Sequence, residues 1–230
     1  MINFISVIPA RSGSKGIKNK NIIKIGNKPL VQHTFEAAFK SNIQKNFVLT
    51  DNIKIKKIAN KFKINTQYKR PKNLSKSTTS LVETLSHFNK WLVKKKIDYD
   101  FMVVLQPTSP LRDFKDINNC LKIIEKSKNK SLFSVSESIE HPYEAITKNK
   151  KSWKFILNKS KKFYRRQDFD IKTYFINGAI YISSKKLIQQ KKTFTNFKHS
   201  LYIMPKRKSL EINDKDEAYI IDCILNRKNK

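Results

Sequence analysis

The chain has 230 residues, with 49 Lys and Arg against 18 Asp and Glu, for a formal net charge of +31. Hydrophobic residues make up 39% and aromatics 11%, enough to give one domain a sizeable core. No stretch approaches the roughly 20 apolar residues that cross a bilayer, residues 1–5 lack the basic n-region of a signal peptide, and Cys120 and Cys223 show no zinc or disulfide spacing.

These features lead to the expectation of a cytoplasmic protein with no membrane partner. The charge is open to two readings. It is either a nucleic-acid footprint or compositional drift toward Lys, Asn and Ile in an AT-rich coding background. The lysines are spread along the chain, in short clusters such as Lys94 to Lys96 and Lys159 to Lys162, without an Arg-aromatic stacking pattern. That spread favours drift and no specific nucleic-acid partner, though anionic ligands would still be attracted in a salt-dependent way.

Short apolar runs alternate with amphipathic stretches, which predicts an α/β fold with a mostly parallel central sheet flanked by helices. Strands are expected at 4–8, 46–50, 101–105, 131–135 and 179–182, and helices at 29–40, 52–62, 79–94, 115–126 and 214–225. Pro29 fits the first turn of its helix. Asp214 fits an N-cap, with Glu217 three residues on. The stretch 138–176 breaks the rhythm: it is polar, aromatic and irregular, and reads as an insertion covering a site or joining a partner subunit, within a single domain 1–230. Residues 227–230 read as a frayed tail.

Four segments carry chemistry. The first follows the opening strand and reads Pro9-Ala10-Arg11-Ser12-Gly13-Ser14-Lys15-Gly16, with Lys20 and Asn21 close behind. A chain with 4 glycines places two of them here, among three cations suited to a polyphosphate. The alternative is a solvated basic turn.

The second, from Leu105 to Arg112, joins two prolines to Gln106, Thr108 and Ser109 at a strand end, where α/β sheets bind ligands. It also reads as a tight connection in which Asp113 caps the next helix. The third combines Tyr164-Arg165-Arg166-Gln167 with Asn177-Gly178-Ala179-Ile180-Tyr181. An arginine there can grip a carboxylate, while Asn177-Gly178 by itself reads as a turn into a buried strand. In the fourth, Glu211 and Asn213 are spaced i, i+2 and so share a face of extended backbone. This is a magnesium seat beside a triphosphate, or else simply a helix cap.

Together these segments resemble the acylneuraminate cytidylyltransferases, the CMP-sialic acid synthetases, over essentially the whole chain and in the expected order. The opening loop and the Gln106–Arg112 loop are specific to that group and differ from the 3-deoxy-manno-octulosonate cytidylyltransferases. The resemblance implies a Rossmann-like nucleotidyltransferase fold that moves CMP from CTP onto a nine-carbon α-keto acid sugar, or onto a related acid such as legionaminate or the octulosonate.

It further implies that Arg11, Ser14 and Lys15 hold the triphosphate, Lys20 meets it near the reacting phosphorus, Asn21 positions the nucleoside, and Ser80 lies where cytosine is read. Gln106, Arg166 and Tyr181 would receive the sugar acid. Mg²⁺ would sit at Glu211 and Asn213, with Asp214 as a possible substitute, and the chain would pair as a homodimer through 138–176. The chain departs from the family in having Glu211 and Asn213 where two aspartates are usual, Ser77 after the Arg70-Pro71 turn, and Tyr143-Glu144 where a lysine is common. A basic nucleic-acid-binding protein on the same fold is the reading from another class.

Overall fold

A computed structural model describes residues 2–13, 16–76, 78–150, 152–157, 171–190 and 198–227. In chain order the elements are β1 (Phe4–Pro9), a hairpin of β2 (Lys24–Ile25) and β3 (Lys28–Pro29), α1 (Leu30–Phe39), β4 (Lys45–Leu49), α2 (Ile53–Asn60), α3 (Leu81–Lys94), β5 (Phe101–Leu105), α4 (Phe114–Lys126) and β6 (Ser131–Glu137). A second hairpin, β7 (Ile146–Lys148) and β8 (Trp153–Phe155), precedes β9 (Tyr174–Ser184), α5 (Lys185–Gln189), β10 (Ser200–Ile203) and α6 (Lys215–Arg227). Every expected strand and helix is present. Pro29 stands at the N-cap, one residue before α1.

The central sheet has the order β10-β6-β9-β5-β1-β4. β1 pairs in parallel with β4 and β5, β6 pairs in parallel with β10, and β9 runs antiparallel to both its neighbours. The carboxyl ends of β1, β4, β5, β6 and β10 therefore share one edge, which β9 enters at its start.

Alternation sorts the core onto two faces. Phe101, Val103 and Leu105 of β5 pack with α1 and α4 through Phe35, Ile117 and Leu121. Met102 and Val104 face α3 and α5 through Leu85, Phe88 and Ile188. A third cluster joins Ile17, Leu30, Leu111, Ile212 and Ile221. It fastens the opening loop, the β5–α4 loop and the segment before α6 to one another.

Asn177-Gly178 is not a turn. Both residues lie inside β9, at a shift in the β6 register between Phe133 and Val135, and Gly178 has φ +67, the signature of a bulge built on glycine. Ser134 Oγ donates to Asn177 Oδ1 at 2.6 Å, and Asn177 Nδ2 donates to Ser209 Oγ at 3.0 Å. The residue pair that makes a turn in isolation thus becomes a joint between the sheet and the Glu211 segment.

Candidate functional site

The opening loop leaves β1 at the sheet's carboxyl edge and is held by side-chain hydrogen bonds. Ala10 N–H donates to Leu49 carbonyl at 3.0 Å. Ser12 gives its amide (2.8 Å) and its hydroxyl (2.7 Å) to the Asp51 carboxylate at the end of β4. Partial burial pushes the Asp51 pKa up, but the two Ser12 hydrogen bonds and nearby Arg70 bring it below the ordinary aspartate value.

Asn21 is buried, and its Nδ2 holds the Arg11 carbonyl at 2.9 Å. Lys20 follows Asn19, which takes a left-handed φ of 56. Its ammonium donates to the Ile212 carbonyl at 2.8 Å. Burial lowers the Lys20 pKa, with Glu211 and Glu217 opposing and Arg11 reinforcing the shift. A partly desolvated cation whose hydrogen-bond acceptor is a neutral carbonyl is a group that a phosphate could recruit.

Beside the loop, a cavity of about 180 Å³ is lined by Pro9, Arg11, Arg70, Thr79, Leu81, Thr84 and Gln106. Arg70 is buried, and its Nε and Nη2 donate to the Leu74 carbonyl at 3.1 and 2.7 Å. Sequence reasoning saw Arg70 only as part of a turn and passed over Asp51. A polar side chain immediately after a parallel strand was the available signal. Ser80 caps α3: its Oγ accepts from Glu83 N–H at 3.1 Å within a capping box. It brings the start of α3 to the cavity while its own hydroxyl is engaged in the cap.

Across the edge, Glu211 is the meeting point. Its Oε1 accepts from Thr108 Oγ1 at 2.7 Å. Both of its oxygens lie 3.5 Å from where a Cβ on Gly178 would sit, and Gln106 Nε2 lies 3.7 Å from that same point. Ile212 N–H donates to the Thr108 carbonyl at 2.8 Å. Tyr181 packs edge-on to Phe133 with ring centroids 5.7 Å apart, and burial, then Glu211, raises its hydroxyl pKa.

The folding chain therefore brings Arg11, Lys20, Asn21, Gln106, Tyr181 and Glu211 to one edge from distant parts of the sequence. Asn213 lies beside them, and its carbonyl oxygen is 2.5 Å from where a Cβ on Gly16 would be. Asp214 caps α6 as expected, accepting from Glu217 N–H at 2.9 Å. Ser14, Lys15, Ser77 and Arg166 lie outside the described residues.

Among the described residues no three His, Cys, Asp or Glu side chains gather as a metal cage. The donor set instead suits a hard cation that keeps water and phosphate in most of its positions. Glu211 Oε1 is taken up by Thr108, while Oε2 has no hydrogen-bond donor among the described residues. The buried Ile212 separates Glu211 from an exposed Asn213.

Residues 5–220 match the family model described as Cytidylyltransferase. N-acylneuraminate cytidylyltransferase from Escherichia coli O18:K1:H7 (strain RS218 / NMEC) is 34% identical over 232 residues, covering 98% of this chain and 53% of that one. CMP-N,N'-diacetyllegionaminic acid synthase from Legionella pneumophila subsp. pneumophila is 29% identical over 202 residues, covering 84% and 83%. The chain spans about half the length of the N-acylneuraminate relatives it matches. Among solved structures, a CMP:2-keto-3-deoxy-manno-octonic acid synthetase complexed with CTP superposes with TM-score 0.70 at 16% identity, covering 98% of this chain and 99% of that one, which is a likeness of fold. With its loops meeting at the sheet edge and a family match running almost end to end, the chain belongs to the cytidylyltransferase family.

Proposed function

We propose that this chain is a nucleotidyltransferase that moves CMP from CTP to the anomeric hydroxyl of a nine-carbon α-keto acid sugar, an N-acylneuraminate or a close relative such as legionaminate. The sugar oxygen forms a bond to the α-phosphorus as the bond to pyrophosphate breaks. Charge grows on the phosphoryl and leaving oxygens. The observation that carries the reading is the convergence of Lys20, Gln106, Tyr181 and Glu211 beside the Arg11–Arg70 cavity.

Arg11 and Lys20, with Ser14 and Lys15 from the same loop, meet the triphosphate, and Lys20 compensates charge near the reacting phosphorus. Asn21 holds the Arg11 carbonyl and so steadies the loop, and through that loop it would help position the nucleoside. Arg70 and the start of α3, capped by Ser80, form the base-proximal wall. Gln106 and Tyr181 face the sugar acid, and Arg166 grips its carboxylate. Glu211 and Asn213 would hold Mg²⁺, with Asp214 next in line; when bound, the ion polarises the phosphates and offsets their charge.

A homodimer fits the exposed apolar side chains of the β7–β8 hairpin and the start of β9, among them Ile146, Trp153, Ile156, Phe175 and Ile176. CTP and a nonulosonic acid are then the small-molecule partners, and the cytoplasm, where CTP is made, is the compartment of the reaction.

The test is pyrophosphate release from CTP and Mg²⁺ with a panel of α-keto acid sugars. Release with a nine-carbon acid, and with CTP over the other nucleoside triphosphates, is expected. Release with the octulosonate alone would move the substrate to the eight-carbon class. If no sugar supports turnover, and duplex binding persists near physiological salt, the transferase reading gives way to nucleic-acid binding.

A further inference from the structure

We propose that Lys208 is a positioning residue: its ammonium clamps the segment carrying Glu211 onto the loop carrying Gln106 and Thr108. The clamp itself rests on geometry. Its consequence for turnover rests on the cytidylyl-transfer reading above.

Three consecutive cations, Lys206, Arg207 and Lys208, precede Glu211. Lys206 reaches Glu137 at 3.8 Å with both side chains half exposed, a contact of little worth. Lys208 differs. Its Nζ lies 2.7 Å from Asp113 Oδ2 and 3.0 and 3.2 Å from the two oxygens of Asp116.

The Asp116 side chain is 2% exposed, and it also accepts from the Tyr202 hydroxyl at 2.9 Å and from Asp113 N–H at 3.0 Å. A carboxylate so buried depends on its donors, and loss of a charged one leaves it short. Buried Arg112 adds a second positive charge facing the same pair of carboxylates, but its Nη2 is spent on Thr34 Oγ1 at 2.7 Å. Lys208 is the cation that touches them.

Asp113 and Asp116 start α4, directly after the Gln106–Arg112 loop. Lys208 therefore ties the Glu211 segment to that loop from outside, while the Ile212–Thr108 and Thr108–Glu211 hydrogen bonds tie it from within. The Ile212 carbonyl is also the acceptor for Lys20. If the segment slips, Glu211 and the partner of Lys20 move together, and displacements near 1 Å are enough to cost a reaction dearly.

The experiment compares Lys208→Met, which keeps the aliphatic stem, with Lys208→Arg, which keeps the charge. In metal-free protein, hydrogen exchange at the Ile212 amide should speed up by about tenfold in Lys208→Met, stay near wild type in Lys208→Arg, and leave β1 and β5 amides unchanged. In turnover, half-saturating CTP and Mg²⁺ should each rise about tenfold with kcat changed less, and the arginine variant should restore both.

Unchanged exchange at Ile212 in folded Lys208→Met overturns the clamp, and so does a uniform rise across the sheet, which marks general destabilisation. If Lys208→Met does not fold, Asp113→Asn keeps the helix cap and removes one arm, and the same exchange readout decides. A wild-type protein that releases no pyrophosphate defeats the transferase reading and leaves the clamp to be judged by exchange alone.

Discussion

Lys20 sits 2.8 Å from the Ile212 carbonyl with its pKa lowered by burial, and both facts bear on the phosphate-facing role proposed for it. Phosphate charge is compensated by the ammonium form. A lowered pKa means that charge is lost, as pH rises, before the ordinary lysine value of 10.5. The alkaline limb of kcat/KM, which reports the free enzyme, should therefore fall below that pH. Lys20→Met should lower kcat/KM by roughly 10²–10³-fold while the melting temperature stays close to wild type. A variant with near-normal turnover would remove Lys20 from the chemistry. Residue types singled this position out: a lysine a few places after a glycine-bearing loop suggests phosphate. That its acceptor is Ile212, 192 positions away, could not be read from local spacing.

At the scale of loops and strands, the opening loop and the Glu211 segment touch at Gly16. A Cβ there would lie 2.5 Å from the Asn213 carbonyl oxygen, a distance that forces one of the two segments to move. Gly16→Ala should therefore lower kcat/KM for CTP by about 10–100-fold with the far-ultraviolet circular dichroism unchanged. Unaltered kinetics would mean that the loop yields without consequence. The regular elements were legible because their periodicities are strong: five strands, five helices, and the Asp113 and Asp214 caps fell where expected. Asn177-Gly178 was misread because a bulge and a turn ask for the same left-handed backbone. β10 went unseen because four residues, Ser200–Ile203, become a strand only when β6 supplies the hydrogen bonds.

For the whole molecule, two features act together. A net charge of +31 repels a second copy at long range, yet the β7–β8 hairpin leaves Trp153 60% exposed and Ile156 62% exposed, and aromatic and aliphatic surface of this kind favours burial against a partner. Sedimentation should show a dimer that strengthens with added salt as the repulsion is screened. Trp153→Asp should shift it to monomer without unfolding the sheet. A monomeric wild type at every salt concentration would return the hairpin to a role within its own subunit.

The amino-acid sequence by itself determined the fold class and the chemistry on offer. Alternating short apolar runs specify a layered α/β sheet, and the cations, amides and oxygen donors were visible as residue types, Arg11 and Gln106 at strand ends and Lys20 and Glu211 in the connections beyond. Only the tertiary structure decided which of them meet. Parallel pairing puts the strand ends on one edge, and the Ile17–Leu111–Ile212 cluster closes three loops over that edge. It also decided that Asn21 and Ser80 spend their polar groups on backbone, that Asp51 holds Ser12, that Arg70 holds the Leu74 carbonyl and that Lys208 bridges Asp113 and Asp116. The physical reason is range. Periodicity and turn chemistry act over a few residues, whereas a buried polar group is satisfied by whatever partner the packed core delivers, from anywhere in the chain.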